Sequence, residues 1–178
     1  KYEGNFIKGL YEGKGRFIFE NQDFYIGDFK ENYFNGKGKL FSKKKTLIYA
    51  GDFVNDKYEG NGVLYCKNGE FYKGKFKNGF KEGKGIEYYK QYLKKYEGDF
   101  IKGQYNGKGE YFYKNGEYYK GDFKNGLKHG KGEEYYKSGN KKYSGEFINN
   151  NYEGKGIFIN SENIYYDGIW LNGKMNGN

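Results

Sequence analysis

The chain has 178 residues with 31 Gly, 23 Tyr, 16 Phe, one Trp, one Cys and no Pro, and 32 basic against 23 acidic side chains leave a formal charge of +9. The absence of proline and of a three-residue glycine period excludes a collagen-like helix, and the heavy aromatic load argues against disorder. A single cysteine, Cys66, forms no internal disulfide, and no apolar run reaches the about 18 residues of a membrane-spanning helix, so a reducing, cytoplasmic address is expected.

A Tyr-x-Gly-x-aromatic segment begins at Tyr2, Tyr25, Tyr49, Tyr72, Tyr96, Tyr119, Tyr143 and Tyr166, spaced alternately by 23 and 24 residues. The expected organisation is therefore one repeat array over 1–178, with units starting at 2, 25, 49, 72, 96, 119 and 143 and a shorter eighth starting at 166. Within each segment the alternate positions are mostly polar, as in Glu97 and Asp99, so the segment is predicted to be a strand with one apolar and one wet face. Seven residues after each Tyr stands Gly9, Asn32, Asp56, Gly79, Gly103, Gly126, Asn150 or Gly173, the residue types that accept a left-handed backbone, which predicts a reverse turn in every unit. Paired glycines follow, from Gly13 and Gly15 to Gly154 and Gly156, with the eighth unit reaching only Gly177. A second strand is predicted from each glycine pair into Ile18, Phe41, Tyr65, Tyr88, Phe112, Tyr135 or Ile159, and Gly69, Gly116 and Gly139 mark connections between units.

Each unit thus reads as a β-hairpin. A lone hairpin is marginal in water, but stacked hairpins complete one another's apolar faces, so the predicted fold is all-β: an elongated single-layer antiparallel sheet of stacked hairpins, about 75 Å long at about 4.8 Å per strand. Aromatic rings are expected in rows, with the glycines letting rings lie over neighbouring backbone. The length is read as a segment of an array whose edges favour self-association. A longer period of 47 residues is superimposed: odd units carry Tyr11, Tyr58, Tyr105 and Tyr152 before the glycine pair, where even units carry Phe34, Lys81, Lys128 and Met175. Odd units also end in Phe24, Phe71, Tyr118 or Tyr165, against Ile48, Lys95 or Lys142 in the first three even units.

Tyr-Glu-Gly-Asp-Phe at 96–100, followed by Gly103, Gly107 and Gly109, resembles the membrane occupation and recognition nexus (MORN) repeat, and the resemblance extends over the whole chain. Phe stands for the family's more usual Trp in seven units, and Asn32, Asp56 and Asn150 replace the mid-unit Gly. The resemblance implies an extended sheet of hairpins with an aromatic groove, used in protein assembly in cytoskeletal or ciliary complexes. It also implies two alternatives, a peripheral module for anionic lipid such as phosphoinositide, or a regulatory repeat region of a larger enzyme.

The residues themselves argue against catalysis. His129 and Cys66 lie in different units with no recurring carboxylate beside them, and His129 occupies a polar slot held elsewhere by Glu or Asn. No metal or cofactor is expected. The glycine pairs lack the strand, helix and lysine context of a phosphate-binding loop. The expected activity is that of a noncatalytic protein-interaction scaffold whose aromatic groove takes a peptide or helix, with Tyr11, Phe53, Tyr58, Phe76, Phe100, Tyr105, Phe123 and Tyr152 as groove residues. Lys14, Lys37, Lys84, Lys108, Lys131 and Lys155 form a ladder between the paired glycines. It reads either as a site for an anionic ligand or as one half of ion-pair rows with carboxylates such as Asp28, Asp52 and Asp122. Nucleic acid is not an expected partner, because the rings are needed by the sheet and acidic residues interrupt the positive field.

Overall fold

The computed structural model describes residues 1–176. Gly177, the glycine that ends the eighth unit, lies outside the described residues. The chain divides into two compact units, Lys1–Leu93 and Lys94–Asn178. The first holds β1 (Tyr2–Ile7), β2 (Leu10–Ile18), β3 (Phe24–Lys30), β4 (Tyr33–Phe41), β5 (Leu47–Val54), β6 (Lys57–Tyr65), β7 (Phe71–Lys77) and β8 (Phe80–Tyr88), then one turn of 3-10 helix at Lys90–Tyr92. The second holds β9 (Lys94–Ile101), β10 (Gln104–Phe112), β11 (Tyr118–Lys124), β12 (Leu127–Tyr135), β13 (Lys141–Ile148), β14 (Asn151–Ile159), β15 (Tyr165–Leu171) and β16 (Lys174–Asn176). Inside each unit the strands lie in chain order, each antiparallel to the next, so successive pairs make hairpins one to four and five to eight. The all-β, single-layer hairpin fold expected from the periodicity is what each unit forms.

The hairpin turns use two residues in the left-handed region, as at Asn55 (φ 47) and Asp56 (φ 65), or Asn78 (φ 51) and Gly79 (φ 87). This geometry matches the right-handed twist of the flanking strands. Within a unit the same turn ties a hairpin to the one before it. The Gly79 N–H donates to the Tyr58 carbonyl at 2.9 Å, and Asn150 makes the equivalent bond to Lys128 at 3.0 Å. Where Asn or Asp replaces glycine, its side chain adds a second bond: the Asn32, Asp56 and Asn150 Oδ1 atoms accept the N–H of Tyr11, Phe34 and Lys128 at 2.8, 2.7 and 2.9 Å. These departures from glycine therefore strengthen the seam between hairpins.

The second strand starts earlier than the glycine pair, at Leu10 rather than Gly13 in hairpin one, because the pair is a bulge inside the strand. Gly4 faces Gly15 and Asn5 faces Glu12, leaving Gly13 and Lys14 as two extra residues. The first glycine of each pair carries the left-handed kink, with φ 66 at Gly13 and 63 at Gly107. The second lies beneath a ring. A Cβ on Gly38 would sit 2.2 Å from the Tyr25 ring, and one on Gly27 would sit 2.3 Å from the Tyr25 hydroxyl oxygen.

The core is a file of such tyrosines. Tyr25, Tyr49, Tyr72, Tyr96, Tyr119 and Tyr143 are at most 1 % exposed. Each meets the Phe of its own strand edge to face and, where the next hairpin lies in the same unit, the next aromatic too, as Tyr49 does with Phe53 at 5.1 Å and Phe76 at 5.2 Å. The core thus links neighbouring hairpins as a repeat array requires.

Candidate functional site

Strand alternation sorts the side chains onto two faces. Residues in register with the second glycine of each pair form the apolar face: Tyr25, Phe29, Phe34 and Leu40 in hairpin two, and Tyr49, Phe53, Tyr58 and Leu64 in hairpin three. The opposite face carries the Lys ladder.

On the apolar face the core tyrosine is sandwiched. Glycine backbone lies on one side, and on the other stacks the ring nine residues later: Tyr11 on Tyr2 at 3.9 Å, Phe34 on Tyr25 at 3.9 Å, Tyr58 on Tyr49 at 3.8 Å, Tyr105 on Tyr96 at 3.8 Å and Tyr152 on Tyr143 at 3.7 Å. These outer rings are half-buried and form the surface of the face. Of the expected groove residues, Tyr11, Tyr58, Tyr105 and Tyr152 therefore stand where a ligand can meet them. Phe53, Phe76, Phe100 and Phe123 are 1–5 % exposed. Packed edge-on between tyrosines, they serve the core, with Phe53 reaching the groove floor.

Across hairpins one to three lies a groove of about 490 Å³, lined among others by Phe17, Phe19, the outer rings Phe34 and Tyr58, Leu40, and the adjacent Asp56 and Lys57; Tyr11 is not among its lining. The second strands end at Ile18, Phe41 and Tyr65 as the sequence predicts; register with the glycines turns these residues to the other face and brings Phe17, Leu40 and Leu64 into the apolar row. Each outer ring and its apolar neighbour are six positions apart: Tyr11 and Phe17, Phe34 and Leu40, Tyr58 and Leu64, Tyr105 and Tyr111, Tyr152 and Phe158.

Hairpins four and six break this row in a correlated way. Lys81 and Lys128 replace the outer ring, and Glu87 and Glu134 replace its neighbour, each Lys pairing with its Glu. The ammonium of Lys81 lies 5.0 Å from the centre of the Tyr72 ring, and that of Lys128 5.3 Å from that of Tyr119, so a cation–π contact takes the place of ring stacking. Burial works against the charge on Lys128, yet Glu134 holds its pKa above the ordinary lysine value. Glu134 also accepts the Tyr152 hydroxyl at 2.6 Å; burial, then this bond, push that hydroxyl's pKa up.

The charged face is built from linked ion pairs. Asp28 accepts the Lys14 ammonium at 2.5 Å on one oxygen and the Lys37 N–H at 2.9 Å on the other, which serves the bulge of its own hairpin. Asp52 does the same with Lys37 at 2.5 Å and the Asn61 N–H at 3.0 Å, and Asp122 with Lys108 at 2.7 Å and the Lys131 N–H at 3.3 Å. Lys14, Lys37 and Lys108 are thus paired within the fold, while Lys131 and Lys155 are exposed and stand opposite Glu146 and Ile169. Lys84 occupies the same slot in hairpin four. The same face carries aromatic stacks that the sequence reading missed as stacks: Phe24 with Phe41 at 5.0 Å, Phe71 with Tyr88 at 4.4 Å and Tyr118 with Tyr135 at 4.4 Å. Their first members are the residues that end the odd units, and their spacing of 47 was the available signal.

His129 is half-buried with Nδ1 unpartnered, Cys66 is exposed, and no group of three metal-ligating side chains is found among the described residues. No helix among them is long and apolar enough to cross a membrane.

No curated protein matches the chain. Comparison with known families matches the MORN repeat at residues 2–24, 25–45, 49–71, 72–93, 96–118, 119–141, 143–161 and 166–178. With the glycine-cradled tyrosines and the hairpin register repeated through both units, the chain belongs to the MORN-repeat family.

Proposed function

We propose that this chain is a noncatalytic interaction scaffold whose apolar face receives a segment of a partner protein, in a cytoplasmic assembly of the cytoskeletal or ciliary kind. The observation that carries the reading is the groove over hairpins one to three, where outer rings remain half-buried around about 490 Å³. A single-layer sheet could have covered this face with charge, as hairpins four and six do; three consecutive hairpins instead keep aromatic and aliphatic side chains there. The Lys ladder supports a ligand less well, because Lys14, Lys37 and Lys108 are held by carboxylates of the fold. For that reason anionic lipid is not the reading favoured here.

The test is affinity capture from source-cell extract with three versions of the chain: wild type, Phe34→Lys with Leu40→Glu, and Lys14→Glu with Lys37→Glu and Lys108→Glu. The reading expects one protein set retained by the wild type and the lysine variant and lost by the groove variant. Retention by the groove variant with loss from the lysine variant contradicts it.

A further inference from the structure

We infer that the charged face of hairpins seven and eight binds the same face of a second copy of the chain. This surface lies on the side of the sheet opposite to the groove-bearing face, so it and the interaction reading above stand or fail separately.

On the charged face Lys14, Lys37 and Lys108 stand opposite Asp28, Asp52 and Asp122, carboxylates of the following hairpin. Lys155 stands instead opposite Ile169, in a place that every other hairpin gives to Asp, Glu, Asn or Lys. The isoleucine removes the acceptor that Lys155 has elsewhere in the ladder and puts a branched apolar side chain on a wet surface. It is not isolated: Ile157 on β14 and Tyr165, Ile169 and Leu171 on β15 are 40–70 % exposed on this face. Adjoining apolar side chains of this size on an otherwise charged face mark an interaction surface.

The register arranges the centre of the patch as a block of four. Lys155 faces Ile169, and one step along the same face Ile157 faces Asp167. The isoleucines therefore occupy one diagonal and the two charges the other. Lys155 and Asp167 are exposed and form no ion pair among the described residues. Of the charges bordering the block, Glu146 stands opposite Lys131, Glu153 accepts the Asn172 N–H at 2.9 Å, and Lys174 lies at the rim opposite Leu171.

Such a block is complementary to itself. A two-fold axis between two stacked copies, parallel to the isoleucine diagonal, sets each isoleucine on its own counterpart and exchanges the ends of the other diagonal. Lys155 of each copy then meets Asp167 of the other, which is the reciprocity of an isologous contact. The strands of the two copies cross steeply, as in orthogonal sheet packing. A partner surface of a single sign would satisfy one of the two charges and repel the other. The contact is small, so the association is expected to be weak and reversible.

Sedimentation velocity of the full chain over a concentration series tests this. The wild type should shift reversibly from monomer to dimer. Ile169→Asp restores the residue type that Asp122 supplies, gives Lys155 a carboxylate within its own chain, and should weaken the dimer by about tenfold or more with unchanged circular dichroism. Lys155→Glu and Asp167→Lys each set like charges against one another twice in the dimer and should each weaken it by about tenfold or more. Mixed in equal amounts, these two variants present opposite charges at both places and should form a heterodimer about as strong as the wild-type dimer. A role confined to the folding of one chain gives no such rescue. A wild type that stays monomeric throughout, a dimer unmoved by Ile169→Asp, or two variants that fail to complement each other overturns the inference. So does another occupant: an adduct with a different protein from benzoylphenylalanine at Ile157 in cell extract, or co-sedimentation of a monomeric wild type with vesicles of phosphatidylcholine and phosphatidylserine that Ile169→Asp abolishes. None of these outcomes bears on the groove, which Phe34→Lys with Leu40→Glu tests by itself.

Discussion

Tyr25 donates its hydroxyl hydrogen to the main-chain carbonyl of Asp28 at 3.0 Å. Asp28 is the residue that the bulge leaves without a partner in β4, so the buried tyrosine supplies a bond to the residue skipped by the ladder. The same bond joins Tyr49 to Asp52, Tyr96 to Asp99 and Tyr143 to Glu146. One side chain thus fills the core, covers two glycines and fastens the bulge.

Tyr25→Phe keeps the ring and loses this bond, and is expected to destabilise the chain by about 1–2 kcal/mol. Gly38→Ala drives a methyl group into the same ring from the bulge and is expected to cost more, about 2–4 kcal/mol. Urea denaturation followed by circular dichroism ranks the two. A Gly38→Ala protein as stable as the wild type contradicts the packing described here.

The seam bonds at the turns give an ordered series. Asn150→Gly keeps a left-handed backbone but loses the side-chain bond to the Lys128 N–H, and is expected to cost about 0.5–1.5 kcal/mol. Gly79→Asn does the converse: its Cβ meets nothing within 4 Å, and its amide can take the bond that Asn150 makes. Thermal unfolding should place Gly79→Asn at or above the wild type and Asn150→Gly below it. The reverse order would falsify the seam.

Lys81 and Glu87 form an ion pair with side chains 22 % and 13 % exposed on an otherwise apolar face. Lys81→Ala strands the carboxylate and is expected to cost about 2–4 kcal/mol, whereas Lys81→Tyr with Glu87→Leu, which copies hairpin three, should be neutral or more stable than the wild type. A double variant less stable than Lys81→Ala would show that the pair is not interchangeable with an aromatic rung.

Burial raises the pKa of Tyr25, Tyr49, Tyr72 and Tyr119 above the ordinary 10.0, and that of Tyr143 to about 12. Above pH 10 the unfolded chain therefore loses protons that the folded chain keeps, so stability is full below that pH and falls as pH rises towards and beyond 12. A share of the tyrosinate absorbance should appear only together with the loss of circular dichroism, in one cooperative alkaline transition. Ionisation of every tyrosine with the fold intact would contradict the buried file.

The hairpins were legible because their signals are local: Tyr25, Gly27 and Phe29 alternate on one strand, and Asn78-Gly79 suits a two-residue turn. The bulge was not, since Gly13 and Lys14 add two residues and leave the alternation unchanged. Parity therefore gave no hint that the first glycine of a pair bends the strand, whereas the expected packing of rings over glycine backbone is what the second shows. The site was half legible. Tyr11 and Tyr58 were marked by the 47-residue period, but their neighbours Phe17 and Leu64 emerge only from register across the bulge. Lys81 was marked by the same alternation, but its pairing with Glu87 was not, because their shared face is a property of the folded strand.

The central claim is that the apolar face, and not the ladder of lysines, meets the partner. Photo-crosslinking from benzoylphenylalanine placed at Tyr58 on the apolar face or at Lys39 on the charged face, in source-cell extract, tests it directly. The account predicts a discrete protein adduct from position 58 and none from position 39; the opposite pattern would contradict it.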